Sequence, residues 1–300
     1  MRARAATATV LLALAAPDVA AAAYPGRDGL IAFTRAVGSK NGQIHVVRPD
    51  GSGLRKLTHR RYGAGSPAWS PDGRRLAFTA GNGHSAHVFV KRIGGGVRQV
   101  THGADSFTAA TWSPDGRRLA AIRGHWASNG LHYDSVVVMR TDGSHRRTVF
   151  APEQLSSWDP AWSPDGRWIA FNHTDIGGTG ADPNIYIVPA AGGEAQLVTD
   201  VGSQEHPDWS PDGGLIAYTF GLELGPDDIR VVRPDRTGDA PVTDDLSIPD
   251  GWPAWAPSGR RLAIARLGHI WTIAPDGSAL RQVTKGRSGV SDWDPNWQPR

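Results

Sequence analysis

The sequence predicts an all-β protein, specifically a six-bladed β-propeller in which each blade contains four strands. Three observations predict this fold class. A motif recurs at blade-sized intervals, strand and turn patterns fill the spaces between its copies, and the two ends of the repeat region each carry part of one further unit. Internal periods of roughly 40 to 50 residues are typical of propeller blades.

The recurring motif is a tryptophan followed by a Ser-Pro-Asp-Gly turn and a short apolar strand. Its copies read AWSPDGRRLAF from Ala68, TWSPDGRRLAAI from Thr111, AWSPDGRWIAF from Ala161, DWSPDGGLIAY from Asp208 and AWAPSGRRLAI from Ala254, and NWQPR ends the chain. Successive tryptophans are separated by 43, 50, 47, 46 and 42 residues; they are Trp69, Trp112, Trp162, Trp209, Trp255 and Trp297. This period predicts one copy per blade.

Each unit contains four extended segments in a fixed order. An entering segment such as residues 66–69 leads into the turn, where proline fixes φ and Asp-Gly accepts turn conformations. Residues 75–79 then alternate in the manner of a strand, the β-branched run 87–90 follows, and the short segment 100–101 ends the unit. No segment has a sustained period of 3.6 residues, so we expect almost no helix.

The two ends of the repeat region complement each other. Residues 29–33 (GLIAF) have no tryptophan segment before them, and the chain stops just after Trp297 with no strand behind it. We therefore expect the C-terminal segment to supply the inner strand of the first blade, which closes the ring and leaves no open sheet edge there. Five complete units and this shared one give a propeller over residues 24–300.

The first 23 residues have the pattern of a signal peptide. Two arginines precede an apolar segment over residues 5–16, and Pro17 and a run of small residues ending at Ala23 follow it. We expect cleavage near Ala23 and export to the periplasm or the exterior, with no later segment apolar enough to span a membrane. The alternative is an uncleaved anchor or a first helix of the fold.

The composition excludes several kinds of site. The chain has no cysteine, which removes disulfides, thiolate metal sites and cysteine nucleophiles. The formal net charge of +3 is close to balance, so we expect no nucleic-acid binding. No G-x-S-x-G, H-E-x-x-H or EF-hand pattern occurs. We expect a monomer without a required cofactor.

The motif W-S-P-D-G-x-x-[LI]-A-[FY], followed by an Asp-Gly turn and a final Gln-Val-Thr as at residues 99–101 and 282–284, resembles the WD40-like (PD40) repeat of TolB-type β-propellers. The resemblance covers nearly all of residues 28–300. TolB itself carries an additional N-terminal α/β domain before its propeller, and here the repeat starts within a few residues of the predicted signal. The role of TolB in the cell envelope is therefore not carried over.

Positions that repeat in every blade are interpreted as scaffold, because a packing requirement common to all blades explains them. This interpretation covers the six repeat tryptophans and four turn aspartates: Asp72, Asp115, Asp165 and Asp212. Three arginine pairs follow the turns and are interpreted as a solvated rim; they are Arg74-Arg75, Arg117-Arg118 and Arg260-Arg261.

Functional residues are expected where the blades differ. The segments entering the inner strands meet at one mouth of the central channel, and several of them carry an aromatic or acidic group that no packing rule demands. These candidate ligand or partner contacts are Trp158, Asp159, Glu205, His206, Trp252, Trp293 and Asp294. The alternative interpretation is that each aspartate caps a turn before proline and each tryptophan packs on the rim.

Two functions remain open. The first is an exported, non-catalytic propeller that binds a protein or peptide at the channel mouth, favoured by the lack of a recognisable catalytic constellation. The second is a metal-dependent lyase or hydrolase acting on a carbohydrate or another small substrate in the channel. Its metal ligands would come from histidines and carboxylates in long loops and at the mouth: His125, His132, His173, His206, Asp134, Asp159, Asp175, Asp182 and Asp294.

Overall fold

A computed structural model describes residues 25–81, 84–126, 132–151, 157–174, 182–222, 225–245 and 247–300, without the side chains of Trp126 and His132. The predicted signal peptide and the metal candidate Asp175 lie outside these residues. In the described part of the chain, no helix is long and apolar enough to cross a membrane.

The protein forms six antiparallel sheets of four strands each, arranged as consecutive blades. Blade 1 contains β1 (Asp28–Val37), β2 (Gln43–Val47) and β3 (Arg55–Lys56); blade 2 contains β4 (Ala64–Trp69), β5 (Arg75–Gly81), β6 (Ala86–Arg92) and β7 (Val97–Gln99); blade 3 contains β8 (Ser106–Trp112), β9 (Arg118–Trp126), β10 (His132–Arg140) and β11 (Arg147–Phe150). Blade 4 contains β12 (Ser157–Trp162), β13 (Trp168–Thr174), β14 (Pro183–Pro189) and β15 (Gln196–Leu197); blade 5 contains β16 (Ser203–Trp209), β17 (Ile216–Gly221), β18 (Asp228–Val232) and β19 (Ala240–Pro241); blade 6 contains β20 (Asp250–Trp255), β21 (Leu262–Arg266), β22 (His269–Ile273) and β23 (Arg281–Gln282). The prediction of an all-β, six-bladed propeller is confirmed.

The ring closes through the last strand, β24 (Val290–Pro299), which pairs with β1 as the inner strand of blade 1. The register places Ile31 opposite Trp297 and Arg35 opposite Asp292. The predicted sharing of one blade between the two ends of the repeat region is therefore confirmed.

The hydrophobic core lies between adjacent blades. Trp112, fully buried on the inner strand of blade 3, packs in one cluster with Ala68, Ala77 and Val88 of blade 2. Its indole Nε1 donates a hydrogen bond of 3.0 Å to the Ala68 carbonyl. Each blade thus buries its repeat tryptophan against the preceding blade, which is the contact that recurs around the ring.

The Ser-Pro-Asp-Gly turn is held by its own side chains. In blade 2 the Ser70 hydroxyl donates to Asp72 Oδ1 and accepts a hydrogen bond of 2.9 Å from the Arg75 amide, while the Arg74 amide donates to the same Asp72 oxygen at 3.0 Å. Gly73 adopts a left-handed φ of 63°, and a Cβ there would overlap the carbonyl oxygen of Pro299. The same serine–aspartate bond forms in three other blades: Ser113–Asp115, Ser163–Asp165 and Ser210–Asp212.

The threonine that ends five of the six units also has a local partner. Thr101 Oγ1 accepts a hydrogen bond of 3.0 Å from the Val88 amide in the third strand of its blade. Four other blades contain the same bond, with the pairs Thr58–Ile44, Thr199–Ile185, Thr243–Ile229 and Thr284–Ile270. The hydroxyl continues the ladder where the short outer strand stops, which explains why threonine recurs at this position.

The interpretation of the arginine pairs as a solvated rim is wrong for two of the six arginines. The guanidinium carbon of Arg75 lies 4.5 Å from the ring centre of Trp112 in the next blade, and that of Arg118 lies 5.0 Å from the ring centre of Trp162. Both side chains are half-buried there by cation–π contact. The four other arginines of these pairs are exposed.

Candidate functional site

Every inner strand contains a β-bulge at the same place, just before its repeat tryptophan. In each blade one non-glycine residue of this bulge adopts a left-handed φ between 49° and 58°. These six residues are called the mouth ring: Ser66, Ala109, Asp159, His206, Trp252 and Asp294. Five of them precede a proline, which cannot donate to a strand ladder and is tolerated at a bulge.

Hydrogen bonds between blades hold two residues of the mouth ring in this conformation. The Ala109 amide donates to Thr79 Oγ1 at 3.0 Å, and the Trp252 amide donates to Thr219 Oγ1 at 3.1 Å. In both cases the threonine belongs to the second strand of the preceding blade. The tertiary contact offsets the strain that a left-handed backbone imposes on a residue with a side chain.

The mouth ring surrounds a cavity of about 100 Å³ at one end of the central channel. A second layer of residues, each directly before a repeat tryptophan, lines it further in: Ala68, Thr111, Ala161, Asp208, Ala254 and Asn296. Four of these six side chains are small, which leaves room for one inserted side chain or a few water molecules.

Three consecutive blades place an acid, an imidazole and an indole side by side. Asp159 Oδ2 lies 3.6 Å from His206 Nε2, and His206 Nδ1 lies 3.3 Å from Thr219 Oγ1. The His206 and Trp252 rings are 4.7 Å apart between centroids and inclined by 40°. Trp252 keeps 36% of its surface exposed, so this half of the mouth offers both an aromatic face and charge to an incoming group.

Asp294 closes the mouth ring from blade 1. Desolvation between the blades and the negative charge of Asp159 together raise the pKa of this carboxyl to about 7, against hydrogen bonds from the Ser66 amide and hydroxyl that favour the carboxylate. The charge of the mouth therefore changes close to neutral pH.

Sequence reasoning missed two polar residues of the second layer. Asp208 Oδ2 accepts a hydrogen bond of 2.7 Å from the Trp255 amide of the next blade, and desolvation raises the pKa of Asp208 to about 7. Asn296 Oδ1 accepts one of 2.8 Å from the Trp69 amide in the same way. The residue just before each repeat tryptophan could have identified them: Asp208 is the single acid at this position among alanine, threonine and asparagine.

Trp158, Glu205 and Trp293 lie one residue before the mouth ring. Trp158 is 40% exposed, and Glu205 Oε2 is 3.9 Å from His206 Nδ1. Trp293 lines an adjoining cavity together with Tyr62 and Gly42. Of the seven residues predicted from sequence, the structure thus brings Asp159, His206, Trp252 and Asp294 onto one ring and places these three around it.

Two histidines of the long loops, His125 and His173, have neighbours outside the mouth ring. His173 Nδ1 lies 3.2 Å from the Ser157 hydroxyl and its ring packs edge-on against Phe150, while His125 stacks on Tyr133 with centroids 5.7 Å apart. Across the described ranges, no group of three or more His, Asp or Glu side chains is arranged to hold a metal ion.

We expect the free energy of unfolding to fall between pH 4 and 7 because of Asp294. Its folded-state pKa of about 7 lies above the unfolded value of about 3.9, so in this window the folded state binds more protons. The contribution is fully present below about pH 4 and is lost as the pH rises to about 7. Asp294→Asn keeps an uncharged acceptor and tolerates the left-handed φ of 58°. Its free energy of unfolding relative to that of the wild type should therefore increase as the pH rises across this window.

Urea unfolding of both proteins at several pH values measures this difference. Asp208 titrates in the same range but is common to both proteins, so it cancels from the comparison. A stability difference that stays constant from about pH 4.5 to pH 8 would contradict the assignment.

The fold and the mouth define the class of protein: a closed six-bladed β-propeller whose scaffold repeats in each blade and whose channel mouth differs from blade to blade. The family model of the TolB β-propeller domain (PD40) matches residues 28–299. The chain belongs to this TolB β-propeller family.

Similar proteins agree with this assignment. The chain is 31% identical over 145 residues to the uncharacterised protein Atu1656 of Agrobacterium fabrum, covering 47% of each chain, and 36% identical over 115 residues to the TolB homolog of Chlorobium luteolum, covering 38% of this chain and 25% of that one. The crystal structure of TolB from Acinetobacter baumannii superposes with a TM-score of 0.75 at 19% identity, covering 91% of this chain and 67% of that one. The aligned segments span less than half the length of each curated relative.

Proposed function

We propose that this protein is an exported, non-catalytic propeller that binds a protein or peptide partner at its channel mouth. The observation that carries the proposal is the mouth ring, where six equivalent backbone positions present six side chains that follow no repeat. Scaffold positions repeat because every blade has the same packing requirement, so variation at a shared, partly exposed position is a property of a binding surface.

The chemistry of the mouth suits a polypeptide ligand. Trp252 presents an exposed aromatic face backed by His206, and rigid aromatic groups beside a pocket are the usual anchors of protein interfaces. Asp159 and Asp294 add hydrogen-bond acceptors on facing parts of the ring. The cavity of about 100 Å³ accepts one side chain, which favours a partner that inserts a single residue over a bulky substrate.

Export is proposed from the N-terminal sequence pattern, which ends at Ala23 just before the propeller begins. The resulting location is the periplasm or the exterior of the cell. Expression of the full chain followed by cell fractionation and N-terminal sequencing tests this point. Recovery of the uncleaved chain in the cytoplasm would contradict it.

Selection from a displayed peptide library on the immobilised protein tests the proposed binding, with affinities then measured by calorimetry. We expect Trp252→Ala to weaken the binding of the selected peptides by at least about tenfold, because it removes the exposed aromatic anchor. Leu267→Ala is the matched control, since Leu267 is 58% exposed on the β21–β22 loop of the same blade but is not part of the mouth ring. Equal affinities of wild type and Trp252→Ala would refute the site.

A further inference from the structure

A second concave site lies at the opposite end of the propeller, in the cleft between blades 4 and 5. Its volume is about 410 Å³. Two tryptophans and three turn carboxylates line it; they are Trp168, Trp209, Asp165, Asp212 and Asp235. The mouth ring contributes no residue to this cleft, so the two sites are separate.

The protein itself shows what the corresponding place holds between blades 2 and 3. There the guanidinium of Arg75 lies over the ring of Trp112, with 4.5 Å between its central carbon and the ring centre. One of its nitrogens is 3.5 Å from Asp72 Oδ2 and donates to the Gly116 carbonyl at 3.4 Å. An aromatic face, a turn carboxylate and a turn carbonyl together form a guanidinium cradle.

The next junction repeats the aromatic face and the turn carboxylate of this arrangement. The guanidinium of Arg118 lies 5.0 Å from the ring centre of Trp162 in blade 4 and 4.0 Å from Asp115 Oδ2 in its own turn. Two independent copies of the repeat therefore use the same kind of cradle for an arginine side chain.

The cleft between blades 4 and 5 keeps the cradle but not its arginine. The counterparts of the three groups that hold Arg75 are Asp165, Trp209 and Gly213, and all three line the cleft. The arginine position of the repeat is taken by Trp168, which is half-buried and packs against the core cluster between blades 4 and 5. Trp168 supplies a second aromatic wall and no cation.

Cations close by in the sequence do not replace the missing arginine. The side chain of Arg167 is 82% exposed, with Nε 3.8 Å from Asp165 Oδ2, and the guanidinium of Arg233 folds back over Gly238 in its own hairpin. Within the described ranges, no arginine or lysine makes a cation–π contact with Trp209.

We propose that this cleft binds an arginine side chain of another polypeptide. The planar guanidinium packs against Trp168 and the 4% of Trp209 that stays exposed, and donates to Asp165 and to the Gly213 carbonyl, as Arg75 does to Asp72 and Gly116 within the chain. Asp212 and Asp235 add negative charge around the entrance, where each carboxylate uses one oxygen in its own turn. A lysine ammonium matches this set less well, because it lacks the flat face and the fork of donors.

Titration of the full-length protein with the blocked peptide Ala-Ala-Arg-Ala-Ala tests the proposal, observed through the indole N–H signals of Trp168 and Trp209 by NMR. We expect saturable shifts of these signals and at least about tenfold weaker binding of the same peptide with citrulline, a neutral isostere of arginine. Free methylguanidinium should also bind more weakly than the peptide, which distinguishes a polypeptide from a small guanidine compound.

Trp168→Arg is the decisive variant, because it fills the cradle with the residue that blades 2 and 3 carry at this position and should preserve the fold. We expect this variant to bind the arginine peptide at least about tenfold more weakly. Leu280→Arg is the control: it adds the same positive charge at an exposed position of blade 6 that does not line the cleft, so binding should change by no more than about threefold. Unchanged binding by Trp168→Arg, equal binding of the citrulline peptide, or methylguanidinium binding as tightly as the peptide would each overturn the proposal.

Discussion

Arg35→Met is expected to lower the free energy of unfolding by about 3–5 kcal/mol, because it strands a buried carboxylate at the point where the ring closes. Arg35 on β1 and Asp292 on β24 form a two-pronged ion pair, with 2.5 Å from Nε to Oδ1 and 2.7 Å from the terminal nitrogen to Oδ2. The Asp292 side chain is fully buried and also accepts a hydrogen bond of 2.6 Å from Thr284. Chemical denaturation measures the loss.

Arg236→Met is the control for this prediction. Arg236 pairs with Asp200, but both side chains are about half exposed, so its loss should cost no more than about 1 kcal/mol. Replacing both members of the buried pair, with Arg35→Met and Asp292→Leu together, should recover part of the stability, because no charge is then left unpaired. A loss for Arg35→Met as small as that for Arg236→Met would contradict a structural role in closing the ring.

Trp112→Ala is expected to cost about 3–5 kcal/mol, the range for removing a large aromatic group from a packed core. Trp112 has no exposed surface, donates to the Ala68 carbonyl and supports the Arg75 guanidinium from below. Its removal opens a cavity between blades 2 and 3 and releases that arginine. Thermal and urea unfolding of the purified variant measure the effect. If the alanine variant does not fold, Trp112→Phe replaces it and should show a smaller loss.

Trp158→Ala provides the matched comparison within the same residue type. Trp158 is 40% exposed beside the mouth ring, so its truncation should change stability by no more than about 1 kcal/mol. The pair separates tryptophans that repeat in every blade from those that do not. Equal losses in the two variants would refute the division of the tryptophans into scaffold and surface groups.

The two proposed sites use the same scaffold at opposite ends. At the mouth, variation falls on the left-handed residue of each inner strand, and in the cleft between blades 4 and 5 it falls on the arginine position after the turn. Both sites arise where side chains depart from the repeat while the surrounding backbone keeps its shape. Function in such a repeat protein therefore resides in the exceptions to the repeat.

Part of the mouth followed from the sequence. Residues before the repeat tryptophans were chosen as candidates because they differed between blades, and this placed Asp159, His206, Trp252 and Asp294 in the set. Trp158, Glu205 and Trp293 entered the same set as aromatic or acidic groups of the variable entering segments, although they precede the bulge by one position. In a strand, a shift of one residue changes the direction of the side chain, so chemistry alone does not identify the ring members.

The sequence by itself determined the six blades, the strand order within them and the closure of the ring, because these depend on a local pattern that repeats with a clear period. Only the tertiary structure decided which side chains meet. Three features depend on residues about one blade apart in the chain: the burial that raises the pKa of Asp208, the contact between His206 and Trp252, and the arginine cradles. Such contacts depend on how adjacent blades pack, and the local pattern does not contain that information.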